Sequence, residues 1–136
     1  MGKRFLLIAA VYFCLGVLLG MTMGILHNFS LTSVHAHINL LGWVSMALFG
    51  VIYHLYPKAA ETALARTHFW LFNIFVPIML LGISMQILLP DLSVFLPVTI
   101  VSSLIVVISV LLFAINLFLQ VGTNERAKAG SSHLEA

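Results

Sequence analysis

The sequence predicts an all-α membrane protein with four transmembrane helices and with both termini in the cytoplasm. Its composition leads to this class, because 62% of the 136 residues are hydrophobic and only 7% are charged. A soluble domain carries about 25% charged residues, so this chain lacks the polar surface to cover a water-soluble globule. The formal net charge of +2 is small and is not gathered in a cluster, so nothing indicates nucleic-acid binding.

Four apolar segments are long enough for a helix to cross a bilayer, which takes about 20 residues. They run from Phe5 to about Leu26, from about Val34 to Tyr56, from about His68 to Leu89, and from about Leu92 to Leu119. The last connection is very short, so the third and fourth spans are expected to form an antiparallel hairpin. Residues 1–122 should therefore form one transmembrane domain, and the polar residues 123–136 are expected to be a disordered tail.

The basic residues predict the orientation in the membrane. They precede the first span, separate the second from the third, or follow the fourth, which places all of them on one side: Lys3, Arg4, Lys58, Arg66, Arg126 and Lys128. The positive-inside rule assigns that side to the cytoplasm.

The single cysteine, Cys14, excludes an intrachain disulfide and is expected to be a small buried hydrophobe.

A ridge of small residues lies along the first span, where Gly16, Gly20 and Gly24 recur at intervals of four. Such a ridge lets another helix approach closely in lipid. The sequence predicts that a helix or a flat ligand packs there.

The six histidines are an excess in so small a membrane protein, because ionisable groups inside a bilayer are costly and mark function. At about 100° per residue, His35 and His37 point about 200° apart on one helix, which favours two separate partners over one shared metal ion. The face of His35 also carries small and aromatic residues suited to a flat macrocycle: Gly42, Met46, Phe49, Gly50 and Tyr53. Neutral imidazole is a good ligand of haem iron. Contact with headgroups and water at the membrane boundary is the alternative.

The segment "VHAHINLLGWVSMALFGVIYHLYP", followed by "ARTHFW", resembles the tenth and eleventh helices of subunit I of the haem–copper oxidases. That superfamily includes cytochrome c oxidases and nitric oxide reductases. The similarity covers roughly residues 34–75 and lies in the ordered spacing of the histidine pair, Gly50, His54, Pro57 and His68. The resemblance implies that His35 holds a high-spin, oxygen-reactive haem and that His37 holds a low-spin, electron-transferring haem.

The chain also departs from that family. It has four spans where the family subunit has many more, and it lacks counterparts of the helices that supply the copper histidines and the other ligand of the low-spin haem. A single chain is therefore not expected to be a complete oxidase, and the sequence assigns no catalytic residue. A dimer or trimer of this chain would restore ligands if haem lay between His37 of one protomer and His35 or His27 of the next. The haem propionates would then need water, backbone amides, or Asn28, Thr32 and Ser33.

Three functions follow from these observations. The first is a haem b protein of a prokaryotic cytoplasmic (inner) membrane, which transfers electrons with a redox partner or binds a diatomic gas such as O2 or NO. The second is a cofactor-free accessory or assembly protein of a respiratory oxidase. The third and least favoured is a copper-handling protein that uses Met21 and Met23 near His27, because the two methionines diverge on their helix. His54 and His68 are interpreted as polar residues of the inner boundary that pair with each other.

Overall fold

The computed structural model describes residues 1–132, with side chains as far as residue 121. Every regular element in this part of the chain is a helix. The elements are α1 (Gly2–Leu26), α2 (Thr32–His37), a π-helix (Ile38–Ser45), α3 (Met46–Leu55), α4 (Pro57–Ala60), α5 (Ala63–Leu88) and α6 (Phe95–Ser132). The predicted tail lies largely beyond the described side chains and stays a prediction, and His133 lies outside the described residues.

The predicted fold class is confirmed. Within the described residues, four helical stretches are long and apolar enough to cross a membrane: Gly2–Leu26, Thr32–Leu55, Ala63–Leu88 and Phe95–Val121. We call them the first to fourth spans. The second span joins α2, the π-helix and α3 end to end. Four crossings bring the start of the first span and the end of the fourth to one end of the bundle, which we call the basic end because Lys3, Arg4, Lys58 and Arg66 lie there.

The third span begins at Ala63, earlier than its hydropathy predicts, because a side chain caps it. Thr62 is the N-cap, and its Oγ1 accepts a hydrogen bond of 3.0 Å from the backbone N–H of Ala65. Such a cap satisfies one of the amide groups that the first turn of a helix leaves without an intrahelical partner.

The structure also differs from the expected burial of Cys14, which is exposed on the outer surface of the first span.

The third and fourth spans form the predicted antiparallel hairpin. At the basic end, Thr62 Oγ1 donates to Asn116 Oδ1 over 2.7 Å. At the opposite end, Gln86 Nε2 donates to Thr99 Oγ1. Gln86 follows Thr62 along the third span, whereas Thr99 precedes Asn116 along the fourth, which is the antiparallel order. Polar side chains therefore join the hairpin near both of its ends.

The first two spans pack together by placing side chains of the second against glycines of the first. A Cβ added at Gly20 would lie 2.8 Å from His35 Cε1, and one added at Gly16 would lie 2.7 Å from Asn39 Oδ1. The ridge of glycines predicted in the first span therefore receives a helix at two of its three positions. Gly24, the third, has no atom within 4 Å of such a Cβ.

Further along the same interface the roles are reversed, and glycines of the second span receive side chains of the first. The ring of Tyr12 fills the space beside Gly42, and a Cβ added at Gly50 would lie 2.7 Å from Leu6 Cγ. At the basic end, a Cβ at Gly2 would lie 2.6 Å from the carbonyl oxygen of Gly50. We call this alternating interface the glycine zipper.

The second span is not a uniform α-helix, because residues Ile38–Ser45 form a π-helix that starts directly after His37. Ser45 Oγ donates to the carbonyl of Leu40 over 2.8 Å, a bond that spans five residues as π-helical backbone bonds do. Helical-wheel angles that assume an α-helix therefore apply to α2 but not to the residues that follow it.

The glycine zipper makes a prediction about stability. Replacing Gly42 by Ala should lower the free energy of unfolding by about 1–3 kcal/mol, because the new Cβ would overlap the ring of Tyr12 close to its own backbone. Gly24→Ala is the matched control, and we expect it to stay within about 0.5 kcal/mol of the parent. Unfolding of the detergent-solubilised chain, followed by circular dichroism, measures both. Equal losses in the two variants would contradict the zipper.

Candidate functional site

His35 is half-buried between the first two spans and serves as a packing group of the glycine zipper. Its ring lies against Gly20 of the first span. The Asn39 amide nitrogen lies 3.4 Å from both ring nitrogens and donates over 2.8 Å to the backbone carbonyl of His35. The side of the helix on which His35 lies is therefore filled by this chain's own first span.

His37 is half-buried and is held in one orientation by its own helix. Its Nδ1 lies 2.7 Å from the backbone carbonyl of Ser33. A carbonyl only accepts hydrogen bonds, so Nδ1 carries a proton, and in the neutral ring Nε2 presents a lone pair. Metal-binding histidines commonly have this arrangement, in which a backbone carbonyl fixes the tautomer of the ligand.

The two histidines keep the separation that the sequence predicts, because both lie within α2. An α-helix turns about 100° per residue, so their side chains leave the helix about 200° apart. His35 faces the first span, and His37 therefore lies on the side of the helix turned away from it.

The five other residues predicted on the face of His35 separate into two groups. Gly42 and Gly50 face the first span as members of the glycine zipper. Met46, Phe49 and Tyr53 are buried in the core, with exposed fractions of 0%, 7% and 2%. All five are covered by side chains of this chain. A flat ligand could reach Gly42 and His35 together only if the first span moved aside.

His27, the third predicted ligand, is exposed at the end of the first span. Its backbone lies in the left-handed region with φ of 49°, a conformation uncommon outside glycine but adopted more often by asparagine, aspartate and histidine than by most residues. Among the described residues, no group of three or more His, Cys, Asp and Glu side chains is placed to hold a metal ion. His27, His35 and His37 therefore do not form one metal site within a single chain.

The most enclosed histidine is His68, which is 0% exposed inside an aromatic cluster near the basic end. Five rings contributed by all four spans surround it, with centroids between 4.6 and 6.1 Å from the His68 ring: Phe5, Phe49, Tyr53, Phe72 and Phe113. The cluster brings the two helix pairs together around one imidazole. Sequence reasoning placed His68 at the membrane boundary and missed this role.

His68 is bonded across the hairpin to Ser109. Its Nδ1 lies 2.9 Å from the backbone carbonyl and 3.0 Å from the hydroxyl of Ser109, and that hydroxyl donates over 3.0 Å to the carbonyl of His68. No group among the described residues forms a hydrogen bond with His68 Nε2. The expected pairing of His68 with His54 is wrong, because His54 is exposed. The signal was available in the hairpin register, which sets a serine of the fourth span opposite His68.

The fold and this site define a four-span helical membrane protein whose second span carries His37, a half-buried imidazole orientated by a backbone carbonyl. No family model matches the chain. No solved structure matches it either. Among curated proteins, the "Cbb3-type cytochrome c oxidase subunit CcoN1" of Stutzerimonas stutzeri is 34% identical over 83 residues, which covers 52% of this chain and 18% of the relative.

This similarity relates part of the chain to subunit I of a haem–copper oxidase. The chain spans only about a fifth of the relative's length, since the match covers 18% of it. The relationship predicted from the sequence is therefore supported for a segment, together with an integral membrane location. The relative's complete activity does not follow for this chain.

The contact between His68 and Ser109 makes a second prediction. Ser109→Ala should lower the free energy of unfolding by about 1 kcal/mol, because the two hydroxyl bonds between the spans are lost from a buried site. Ser103→Ala is the control, since its hydroxyl bonds only to Thr99 in its own helix. Detergent unfolding curves of the two variants and the parent measure the difference. A control that loses as much as Ser109→Ala would contradict this interhelical role.

Proposed function

We propose that this chain is a haem-binding membrane protein related to subunit I of the haem–copper oxidases, with His37 as the ligand of a b-type haem. One observation carries the proposal. A 2.7 Å hydrogen bond from Nδ1 fixes the His37 ring and leaves Nε2 as the nitrogen that can bind iron. The similarity to an oxidase subunit supports haem as the partner. Neutral imidazole brings no charge into the bilayer, which suits a ligand on a transmembrane helix.

The residues around His37 fit a haem in part. Ser33 holds the imidazole by its backbone carbonyl, and Thr32 and Asn28 lie at the same end of the bundle as exposed polar residues. The Asn28 amide could donate hydrogen bonds to a propionate group without the charge that an arginine would bring, whereas the Thr32 hydroxyl donates to the carbonyl of Phe29 and would have to exchange that bond. When bound, the haem would supply one-electron chemistry or a site for a diatomic gas.

His35 takes a smaller part in this proposal than the family resemblance implies. Its ring is seated beside Gly20, and its side of the helix is filled by the first span. A second haem at His35 would require that span to separate from the second. We therefore propose one haem ligand for each chain in the packed arrangement, at His37.

A single imidazole occupies only one axial position of a haem iron, so the other position either takes a second ligand or stays open. We propose that a second copy of the chain supplies the other axial ligand from His27, which is exposed at the end of the first span. Two histidines would make an electron-transfer haem with no open position. If His37 binds alone, the open position would take O2 or NO.

A cofactor-free accessory protein is the second candidate, and the glycine zipper favours it. His35 and Asn39 fill the spaces beside Gly20 and Gly16, so packing alone accounts for their presence. Much of the outward surface of the spans is apolar, as a subunit packed among other helices requires. In that case replacing His37, which lies on the side of the helix turned away from the zipper, would leave the activity of the partner complex unchanged.

The haem proposal predicts a spectrum. The full chain expressed with ample haem should show a Soret band, and His37→Ala should lower haem affinity by roughly 100-fold or more, since loss of a group that merely supports a ligand already costs about 10–100-fold. His54→Ala is the matched control, because His54 is an exposed histidine at the other end of the same span. A parent protein without a Soret band would overturn the haem proposal and favour the accessory protein.

A haem bound between His37 of one copy and His27 of another makes a separate prediction. In the haem-loaded oligomer, His27→Asn should convert six-coordinate haem to five-coordinate haem that binds carbon monoxide, while the asparagine tolerates the left-handed backbone at this position. Absorption spectra of the reduced protein with and without carbon monoxide report the change. Mass measurements on the same samples identify the oligomer. A monomer that keeps six-coordinate haem would contradict this arrangement.

A further inference from the structure

A cavity of about 480 Å³ opens at the basic end of the bundle, far along the spans from His37. Arg4 of the first span and Arg66 of the third both line it, together with Glu61 from the loop before the third span. Two guanidinium groups and one carboxylate give these side chains a net positive charge. The haem proposal makes no use of this cavity.

The two arginines are available to an external anion. Both side chains are exposed. The positive-inside rule explains why arginines occur at this end, but it does not require two of them, from separate spans, to line one concave space. A guanidinium group binds phosphate oxygens through two parallel hydrogen bonds, which makes arginine suited to this anion.

The deeper wall of the cavity is aromatic. Phe69 and Trp70 line it, with ring centroids 5.6 Å apart and nearly perpendicular planes. Trp70 is 60% exposed and lies one helical turn beyond Arg66, towards the middle of the membrane. Tryptophan is enriched at the level of lipid headgroups, where one side of the ring meets polar groups and the other meets hydrocarbon. The cavity is thus charged at its mouth and apolar along one wall.

We propose that this cavity binds the phosphate of an anionic phospholipid, with Arg4 and Arg66 on the phosphate and Trp70 along the glycerol and upper acyl chain. A soluble phosphate would use the arginines alone. The exposed indole beside them favours a ligand that carries an apolar part. Basic pockets between transmembrane helices are known to recognise such headgroups. The site is independent of His37, so it holds for either function proposed above.

Trp70 itself provides the test. In a Trp43→Phe background Trp70 is the only tryptophan of the full chain, so its fluorescence reports the lipids beside it. The protein is placed in phosphatidylcholine bilayers that contain a small fraction of phosphatidylglycerol, with bromine on the acyl chains of one lipid or the other. We expect phosphatidylglycerol to be enriched beside Trp70 well beyond the roughly fivefold that one basic residue near the surface supplies by charge alone.

Four variants separate a built site from general attraction to charge. Replacing Arg4 and Arg66 by Lys should remove most of the enrichment while preserving the charge and the orientation of the chain, because lysine makes no bidentate contact. Glu61→Gln should raise the enrichment, because it removes the carboxylate that lines the cavity. Lys58→Gln, which removes an exposed charge at the same end but outside the cavity, should change it less than Arg66→Gln does.

Three results would overturn the proposal. Equal quenching by the two brominated lipids would show that no anionic lipid is selected. An enrichment that survives the double Arg→Lys change, or that falls as far in Lys58→Gln as in Arg66→Gln, would show attraction to charge alone. Displacement of the lipid by millimolar inorganic phosphate would show that the site takes a soluble anion.

Discussion

The close approach of the first two spans at the glycine zipper determines how the rest of the bundle presents its chemistry. Lipid tails are as apolar as leucine, so helices in a bilayer associate through close packing and hydrogen bonds. Glycines on both helices make that packing possible, and side chains of the opposite helix fill each gap. Once His35 and Asn39 are seated in this interface, the side of the second span that carries His37 is the one turned away from it.

The aromatic cluster around His68 joins this helix pair to the hairpin of the third and fourth spans. Phe5 of the first span and Phe49 of the second contact the His68 ring, and Ser109 of the fourth span binds it. The glycine zipper therefore packs the first and second spans together, and the aromatic cluster attaches this pair to the third and fourth spans. His68 and His35 both take part in packing, so the proposed ligand roles rest on His37 and His27.

The sequence predicts the spans well because membrane insertion depends on composition over some twenty residues. It predicts the hairpin from a short connection and a packing surface from the glycines. It does not predict the π-helix, because nothing in the pattern of residues 38–45 distinguishes π-helical from α-helical backbone. It also left open whether a helix or a ligand meets Gly20, because both need the same small residue. For His68 the hairpin register was informative, but its partner depends on the exact rotation of two helices.

The different positions of His35 and His37 determine what kind of haem protein this chain would be. The resemblance to the oxidase family assigns one haem to each of these two histidines. In that family a far larger subunit surrounds both haems. Here the first span occupies the side of His35, because Gly20 leaves room for its ring. The resemblance assigns the reactive haem to His35. In this chain the first span packs against the side of the helix on which His35 lies. A haem at His37 would correspond to the electron-transferring position of the resemblance, and the proposed second ligand would come from another copy of the chain.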